Sequence, residues 1–236
     1  MFGDMSTAQR VQAAMGKSGR VVDQLISLLA LHENNAIIVY SDALASQIPP
    51  SYATYAYDLF RQVMYGFEII RLCAVWDRAS ADRDSIPSIV KLIEHPAVTE
   101  ALIEKTRAEW SREREDAKAL KRAEDKAAEA RAEIPQLIAK GREIENSTRL
   151  ESVRKMRDWH LAHSLFEMSP AREKKANDVF PMKYGDERKL LLDSVPLVER
   201  LHLWVTGGSF TFDKGREMAR RDAEALWKHC TFNIQN

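Results

Sequence analysis

The fold is decided by residues 51–77, which read SYATYAYDLFRQVMYGFEIIRLCAVWD. Large apolar side chains recur here at steps of three and four residues, which is the period of an α-helix. The stripe consists of Tyr57, Phe60, Val63, Met64, Phe67, Ile70, Leu72, Ala74 and Val75. Pro49 and Pro50 precede the segment, and Ser51 is a suitable N-cap. Because the segment is apolar on nearly every face, it predicts a helix at the centre of the core.

Helical spacing continues on both sides of this segment. Apolar side chains recur at helical steps from Val22 to Ala43, although Asn34–Asn35 favours a break there. Ser85 is a cap for a short helix over Ile86–Glu94, with Pro87 in its first turn. Two further helices are predicted from Asp186 and from Asp213 onward. Nine glycines and eight prolines are too few for the turns of a β-sandwich. The predicted fold class is therefore all-α.

A chain of 236 residues is predicted to form a single helical domain over residues 1–236. Within it, residues 104–133 are interpreted as a long charged helix arm. Glu104–Arg131 consists almost entirely of Ala, Glu, Lys, Arg and Asp, which are mostly strong helix formers. It holds too few Leu or Ile side chains for a coiled coil. The segment is therefore predicted to be one exposed helix with a turn or kink at Pro135.

Composition excludes several classes of protein. Lys and Arg total 35, and Asp and Glu total 35, so the chain is not a globally basic nucleic-acid binder. Cys73 and Cys230 lie in apolar stretches and are interpreted as buried thiols, which is typical of a cytoplasmic protein. No apolar stretch is long enough for a bilayer, so no membrane partner is expected. Phosphate-loop, nucleophile-elbow and His-Glu-x-x-His motifs do not occur, so neither cofactor nor metal is expected.

The side chains best suited to catalysis lie between Arg154 and His163. This stretch holds Arg154, Arg157, Asp158, His160 and His163 on one predicted helix. Arginine grips a phosphate with a fixed charge, and histidine exchanges a proton near neutral pH. Such a pair suffices for RNA cleavage without metal: histidine activates the ribose 2′-hydroxyl or protonates the leaving oxygen, while arginine stabilises the charge on phosphorus. Two other interpretations stay open, a solvated polar face and a zinc site at His160 and His163.

The segment from Arg157 to His163 (RDWHLAH) resembles the Arg-x(4–6)-His signature of the HEPN superfamily of small helical ribonucleases. A second match, residues 71–77 (RLCAVWD) followed by residues 85–90 (SIPSIV), resembles the AbiU-type (second class) abortive-infection branch of that superfamily. Arg71 and Asp77 are also consistent with internal charges that hold the helices together through ion pairs. The resemblance covers about residues 51–164.

The resemblance implies a HEPN-like helical bundle that forms a homodimer, with two Arg/His pairs facing each other across the two-fold axis. It also implies a ribonuclease of an antiphage-defence or toxin–antitoxin system, with RNA as substrate and a cognate antitoxin as a further partner. Carried over, Arg157 would hold the phosphate and His163 would act as acid and base, with Asp158 following the arginine as in the family. Nearby Arg149, Arg154 and Lys155 are predicted to bind RNA, and Arg172, Lys174 and Lys175 extend that basic patch.

The spacing of the signature sets a geometric condition. Residues six apart on an ideal helix point about 120° away from each other. Either the helix is distorted near Leu161, or the partner chain completes the site. Arg154 and His160 repeat the same spacing one turn earlier, so either pair is a candidate for the primary one. A non-catalytic interaction module with the same fold is the competing hypothesis, and the zero net charge favours it.

Overall fold

A computed structural model describes residues 2–111, 117–158, 182–183 and 185–234. Within these ranges the chain forms eight α-helices, a short 3-10 helix at Ala45–Gln47 and no strand, so the all-α prediction is confirmed. The α-helices are α1 (Thr7–Ile38), α2 (Tyr52–Val75), α3 (Ile86–Ile93), α4 (Pro96–Ser111), α5 (Ala117–Glu145), α6 (Thr148–Met156), α7 (Asp186–Thr206) and α8 (Asp213–Trp227). In this part of the chain, no helix combines the length and apolarity that crossing a bilayer requires.

The chain divides into two compact units. The first consists of residues 1–23, 74–150 and 192–210, and the second of residues 24–73, 151–191 and 211–236. Each unit therefore draws on three separate stretches of sequence, and several helices have residues in both. The single domain expected over residues 1–236 stays a prediction.

Helix α3 is almost completely buried in the first unit. Ser85 caps it by accepting a hydrogen bond from the Ser88 amide, and Pro87 lies in the first turn, where no amide donor is needed. Every residue of α3 except Lys91 is buried. The short capped helix predicted from this stretch is therefore confirmed.

The charged segment 104–133 is divided between α4 and α5, which pack against each other in the first unit. Arg107 on α4 lies 3.0 Å from Glu124 on α5, and Arg131 on α5 lies 2.7 Å from Glu100 on α4. In one straight helix, residues 107 and 124 would be about 25 Å apart. The prediction of a single long helix over Glu104–Arg131 is therefore wrong.

Alanines and a glycine bring α5 close to its neighbours. The buried side chains in its first half are Ala119, Ala123, Ala127 and Ala130. Pro135 lies inside α5, which continues to Glu145, so the chain does not turn at this proline, and the alternative of a kink stays a prediction. At Gly141, an added Cβ would lie 2.8 Å from Cγ2 of Val90 on α3. Small residues therefore do the packing here that Leu or Ile would do in a coiled coil.

In the second unit, α1 runs without a break through Asn34 and Asn35. Asn34 Oδ1 accepts a hydrogen bond from Trp227 Nε1 at 2.7 Å. Asn35 Nδ2 donates to the Met64 carbonyl at 3.1 Å and to Glu68 at 2.6 Å. Asparagine disfavours helices because its side chain competes for nearby backbone groups. Here Asn34 Nδ2 donates to the Ala30 carbonyl one turn back at 2.9 Å, while the other contacts reach α2 and α8, and the predicted break does not form.

Helix α2 buries one of its apolar faces and exposes another. The buried face includes Tyr57, Ile69, Leu72 and the free thiol Cys73, whereas the other free thiol, Cys230, is half-buried. A row of large apolar side chains, here called the α2 stripe, is 44% to 99% exposed and comprises Tyr52, Tyr55, Leu59, Val63, Phe67 and Ile70. The prediction of a helix at the centre of the core is therefore wrong, because the described residues cover only one of its two apolar faces.

Candidate functional site

The predicted catalytic segment begins in α6 and continues in a π-helical turn at Arg157 and Asp158. Val153 of α6 is fully buried, and its carbonyl lies 3.8 Å from Sγ of Cys73, so α6 packs on α2. π-Helical turns are rare and frequently occur at functional sites. The helix thus departs from regular α-geometry where the signature begins, whereas Leu161, where the sequence allowed a distortion, lies outside the described residues.

Arg157 and Asp158 are the part of the predicted catalytic set that the structure describes. Arg157 Nε donates to Asp158 Oδ1 at 2.7 Å; the arginine side chain is half-buried and the aspartate is exposed. A charge-assisted hydrogen bond of this length restricts the orientation of the guanidinium group. His160 and His163 lie outside the described residues, as do Arg172, Lys174 and Lys175.

The cations predicted to bind RNA lie along the same segment. Arg149 lies 2.7 Å from Asp193, and Lys155 lies 2.6 Å from Glu151 one turn earlier. Arg154 is half-buried. Exposed ion pairs of this kind contribute about 1 kcal/mol or less, so a phosphate can displace the carboxylates.

Arg71 and Asp77, the charged residues of the second matching segment, do not both form the internal ion pairs that the sequence suggested. Asp77 lies 3.3 Å from Arg83 in the first unit, with both side chains partly exposed. Arg71, in the second unit, is half-buried and forms no ion pair with any residue that the structure describes. Only Asp77 therefore has the ion-pairing role suggested for both residues.

A buried polar network lies in the second unit around Glu68 of α2. The His32 Nδ1 atom lies 2.7 Å from Glu68 Oε1. Asn35 Nδ2 and the Tyr40 hydroxyl donate to Glu68 Oε2 at 2.6 Å and 3.2 Å. Glu68 is 1% exposed, so one buried carboxylate collects three partners from α1 and the residues just after it. We call these four residues the Glu68 network.

A second buried carboxylate, Glu187 in the first turn of α7, belongs to the same environment. Neither of its oxygens has a hydrogen-bond partner of normal geometry among the described residues. Burial raises the pKa of the Glu187 carboxyl, and the charge of Glu68 adds to that rise. Burial also raises the pKa of the Tyr40 phenol, with the Glu68 and Glu187 carboxylates acting in the same direction. Tyr40 therefore stays protonated and remains a donor to Glu68.

Sequence reasoning missed Glu68 and Glu187. His32 and Tyr40 fall within the helical pattern predicted from Val22 to Ala43, but no polar partner was predicted for them. Glu68 carried a usable signal, because it is the single charged residue between Arg61 and Arg71. A carboxylate in so apolar a helix is buried only with a partner. Glu187 gave no such signal, since its immediate neighbours are charged.

Metal binding has no support within the described ranges. No group of three or more His, Cys, Asp or Glu side chains there is placed to hold a metal ion. His160 and His163, the ligands of the alternative zinc hypothesis, lie outside these ranges, so that hypothesis stays a prediction.

Comparison with known proteins gives one family. A family model of the HEPN class, described as AbiU2, matches residues 20–226, which is nearly the whole chain. No curated protein matches the sequence. No solved structure matches it either.

Proposed function

This chain belongs to the AbiU2 family of HEPN proteins, and we propose that it is a cytoplasmic, metal-independent endoribonuclease of an antiphage-defence or toxin–antitoxin system. The observation that carries the proposal is the Arg157–His163 signature, which lies inside the matched region. The hydrogen bond from Arg157 Nε to Asp158 Oδ1 at 2.7 Å supports it, since it orients the guanidinium group assigned to the phosphate.

The proposed chemistry uses side chains alone. Arg157, oriented by Asp158, holds the scissile phosphate and stabilises the charge that develops on it. His163 takes the proton of the ribose 2′-hydroxyl, whose oxygen attacks phosphorus as the bond to the 5′-oxygen breaks. A histidine of the second chain returns a proton to that leaving oxygen. The products are a 2′,3′-cyclic phosphate and a free 5′-hydroxyl.

The second chain that supplies this histidine belongs to a proposed homodimer, in which the two copies contact each other through the α2 stripe. Its six side chains expose apolar surface on the order of 700 Å², close to the ~800 Å² per partner of a standard interface. Exposed apolar patches larger than a few hundred Å² mark interaction sites on soluble proteins. Helix α6 packs on α2 through Val153 and Cys73, so dimerisation on α2 would fix the helix that carries Arg157. A cognate antitoxin is a further proposed partner.

The test is an RNA digest with the wild type and two variants, with and without a chelator. His163→Ala is expected to abolish cleavage, because it removes the acid and base. Arg157→Ala is expected to reduce cleavage by about 10²-fold, the scale of losing a contact to transition-state charge. The chelator is expected to change nothing.

Two residues provide matched controls. Arg221→Ala removes an arginine whose Nε donates to the adjacent Asp222 at 3.1 Å, the same local arrangement as Arg157 and Asp158. His95→Ala removes an exposed histidine of the first unit. Both are expected to retain wild-type cleavage.

The competing function is a non-catalytic interaction module. The zero net charge favours it, as does the pairing of Arg149 and Lys155 with carboxylates. Intact RNA after incubation with excess wild-type protein would support this alternative. Cleavage that stops in chelator would instead support metal binding at His160 and His163.

A further inference from the structure

A pocket of about 530 Å³ lies in the second unit, lined by side chains from α1, α7 and α8. Pockets for small ligands commonly measure about 300–1,000 Å³, so this one is large enough for a nucleotide. Its described lining contains neither Arg157 nor Asp158. It is therefore a candidate site whose described lining is distinct from the described part of the cleavage signature.

Three arginines dominate the charge of this pocket. Arg216 and Arg220 lie one turn apart on α8 and therefore share a helix face. Arg188 reaches the pocket from the first turn of α7. It is exposed, and no described residue accepts a hydrogen bond from it. With the carboxylates of Glu33 and Glu224, the lining carries three positive and two negative charges, a balance of one positive charge.

Glu33 holds two of these arginines in place. Its side chain is buried at 5% exposure and lies 2.5 Å from Arg216 Nε and 3.0 Å from Arg220 Nε. Burial acts to raise the pKa of Glu33, but the hydrogen bonds from Arg220 and Arg216 outweigh it and lower that pKa. Arg216 uses only Nε in this contact. Its two terminal nitrogens therefore remain available to a ligand within the described part of the pocket.

The remaining polar groups fit an anion. Glu224 lies 3.1 Å from Lys228, which offsets its charge at the pocket. His32 also lines the pocket, and its Nδ1 is held by Glu68. The ring nitrogen left over, Nε2, has no partner among the described residues. Glu68 thus fixes His32, and Glu33 fixes the two neighbouring arginines of α8. These side chains are held in position before any ligand binds.

We propose that this pocket binds the terminal phosphate of a nucleotide-sized ligand, with Arg188 and Arg216 as the principal contacts. Guanidinium groups form paired, charge-assisted hydrogen bonds with phosphate oxygens, and a terminal phosphate offers more charge and more acceptors than an internal phosphodiester. The inference goes beyond RNA cleavage and does not depend on it. The terminal phosphate has two sources, a free mononucleotide or the 5′ end of an RNA.

The first experiment measures binding to the full-length protein by calorimetry. The probes are AMP and UMP, each compared with its nucleoside, adenosine or uridine. Both monophosphates are expected to bind, and both nucleosides to bind at least tenfold more weakly. Arg188→Gln is expected to weaken monophosphate binding at least about tenfold, the scale of one charge-assisted contact. Its melting temperature is expected to match the wild type, since no described residue accepts a hydrogen bond from Arg188.

Arg221→Gln is the matched control, because Arg221 is an exposed arginine of α8 outside the pocket lining. It is expected to leave binding unchanged. Equal weakening by Arg188→Gln and Arg221→Gln would show only a diffuse charge effect and would overturn the proposal.

A second arm separates the two sources. The probes are oligonucleotides with methylated 2′-hydroxyls, which cannot be cleaved through the 2′-oxygen, made with either a 5′-phosphate or a 5′-hydroxyl. Tighter binding of the 5′-phosphorylated form that is lost in Arg188→Gln identifies an RNA end as the source; mononucleotide binding without that preference identifies a free nucleotide. Phosphate-independent binding in both arms would overturn the inference, whether or not the protein cleaves RNA.

Discussion

Replacing Glu68 with alanine tests what the Glu68 network contributes to stability. The carboxylate is 1% exposed and has His32, Asn35 and Tyr40 as partners. Its removal takes the acceptor from His32 and from the half-buried Tyr40, and one of two acceptors from Asn35 Nδ2. A buried unsatisfied polar group costs about 1–3 kcal/mol, and such costs are not fully additive. We expect a loss of about 2–5 kcal/mol in the free energy of unfolding, since two to three such costs add incompletely.

The assay is urea unfolding followed by circular dichroism, with the free-energy change taken from the shift in midpoint. Glu68→Gln should give an intermediate loss, since the amide keeps the shape but only one acceptor oxygen. Glu100→Ala is the control, because Glu100 is 55% exposed and pairs with Arg131 on the surface of the first unit. That variant should lose about 1 kcal/mol or less. A loss for Glu68→Ala no larger than the control would refute the reasoning.

Four further perturbations test other parts of the structure. Val63→Asp places a charge in the α2 stripe and should convert the proposed dimer to a monomer in sedimentation velocity. Gly141→Ala should lower the free energy of unfolding by about 1–3 kcal/mol, because the new methyl group meets Val90 at 2.8 Å. Glu187→Gln should stabilise the protein at neutral pH and lose that effect in acid, because the raised pKa of Glu187 makes its ionised form unfavourable in the folded state. Glu33→Gln should destabilise the protein at neutral pH. The lowered pKa of Glu33 means that its ionised form stabilises the folded state, and this stabilisation is lost as the pH falls through that pKa.

Each of these has its own control and its own contrary result. Leu120→Asp alters an apolar residue that is 59% exposed outside the α2 stripe and should leave the sedimentation unchanged; a wild-type monomer would remove the dimer proposal. Val90→Ala should partly rescue Gly141→Ala, and strictly additive losses would contradict the clash. If the stability of Glu187→Gln and of Glu33→Gln changed with pH in the same way, the opposite pKa shifts of these two residues would be contradicted.

Local sequence signals predicted the structure correctly where they act on the backbone conformation of their own helix. Ser85 and Pro87 predicted the start of α3, because a cap and a first-turn proline act on their own helix. Asn34–Asn35 predicted a break that does not form. Hydrogen bonds to Trp227, Met64 and Glu68 override the local tendency of asparagine, and a sequence read locally contains no trace of them.

Other features required knowledge of what packs against what. Composition predicted that Glu104–Arg131 is helical. It did not predict that α4 and α5 pack against each other, because helix propensity does not indicate where a chain reverses direction. Periodicity found the apolar faces of α2 but not which one the chain covers. For the site, the signature supplied Arg157 and Asp158, which the structure brings together. The arginine pocket was not predicted, because residues 33, 188, 216 and 220 come together only through the fold.

The central claim, RNA cleavage by Arg157 and His163 through the 2′-hydroxyl, is tested most directly by the chemistry of the product ends. A defined RNA is digested in chelator, and the fragments are analysed by mass spectrometry beside the same RNA methylated at every 2′-oxygen. We predict fragments that end in 2′,3′-cyclic phosphate and begin with a 5′-hydroxyl, no cleavage of the methylated RNA, and none by His163→Ala. Fragments with 3′-hydroxyl and 5′-phosphate ends, cleavage of the methylated RNA, or full activity in His163→Ala would contradict the account.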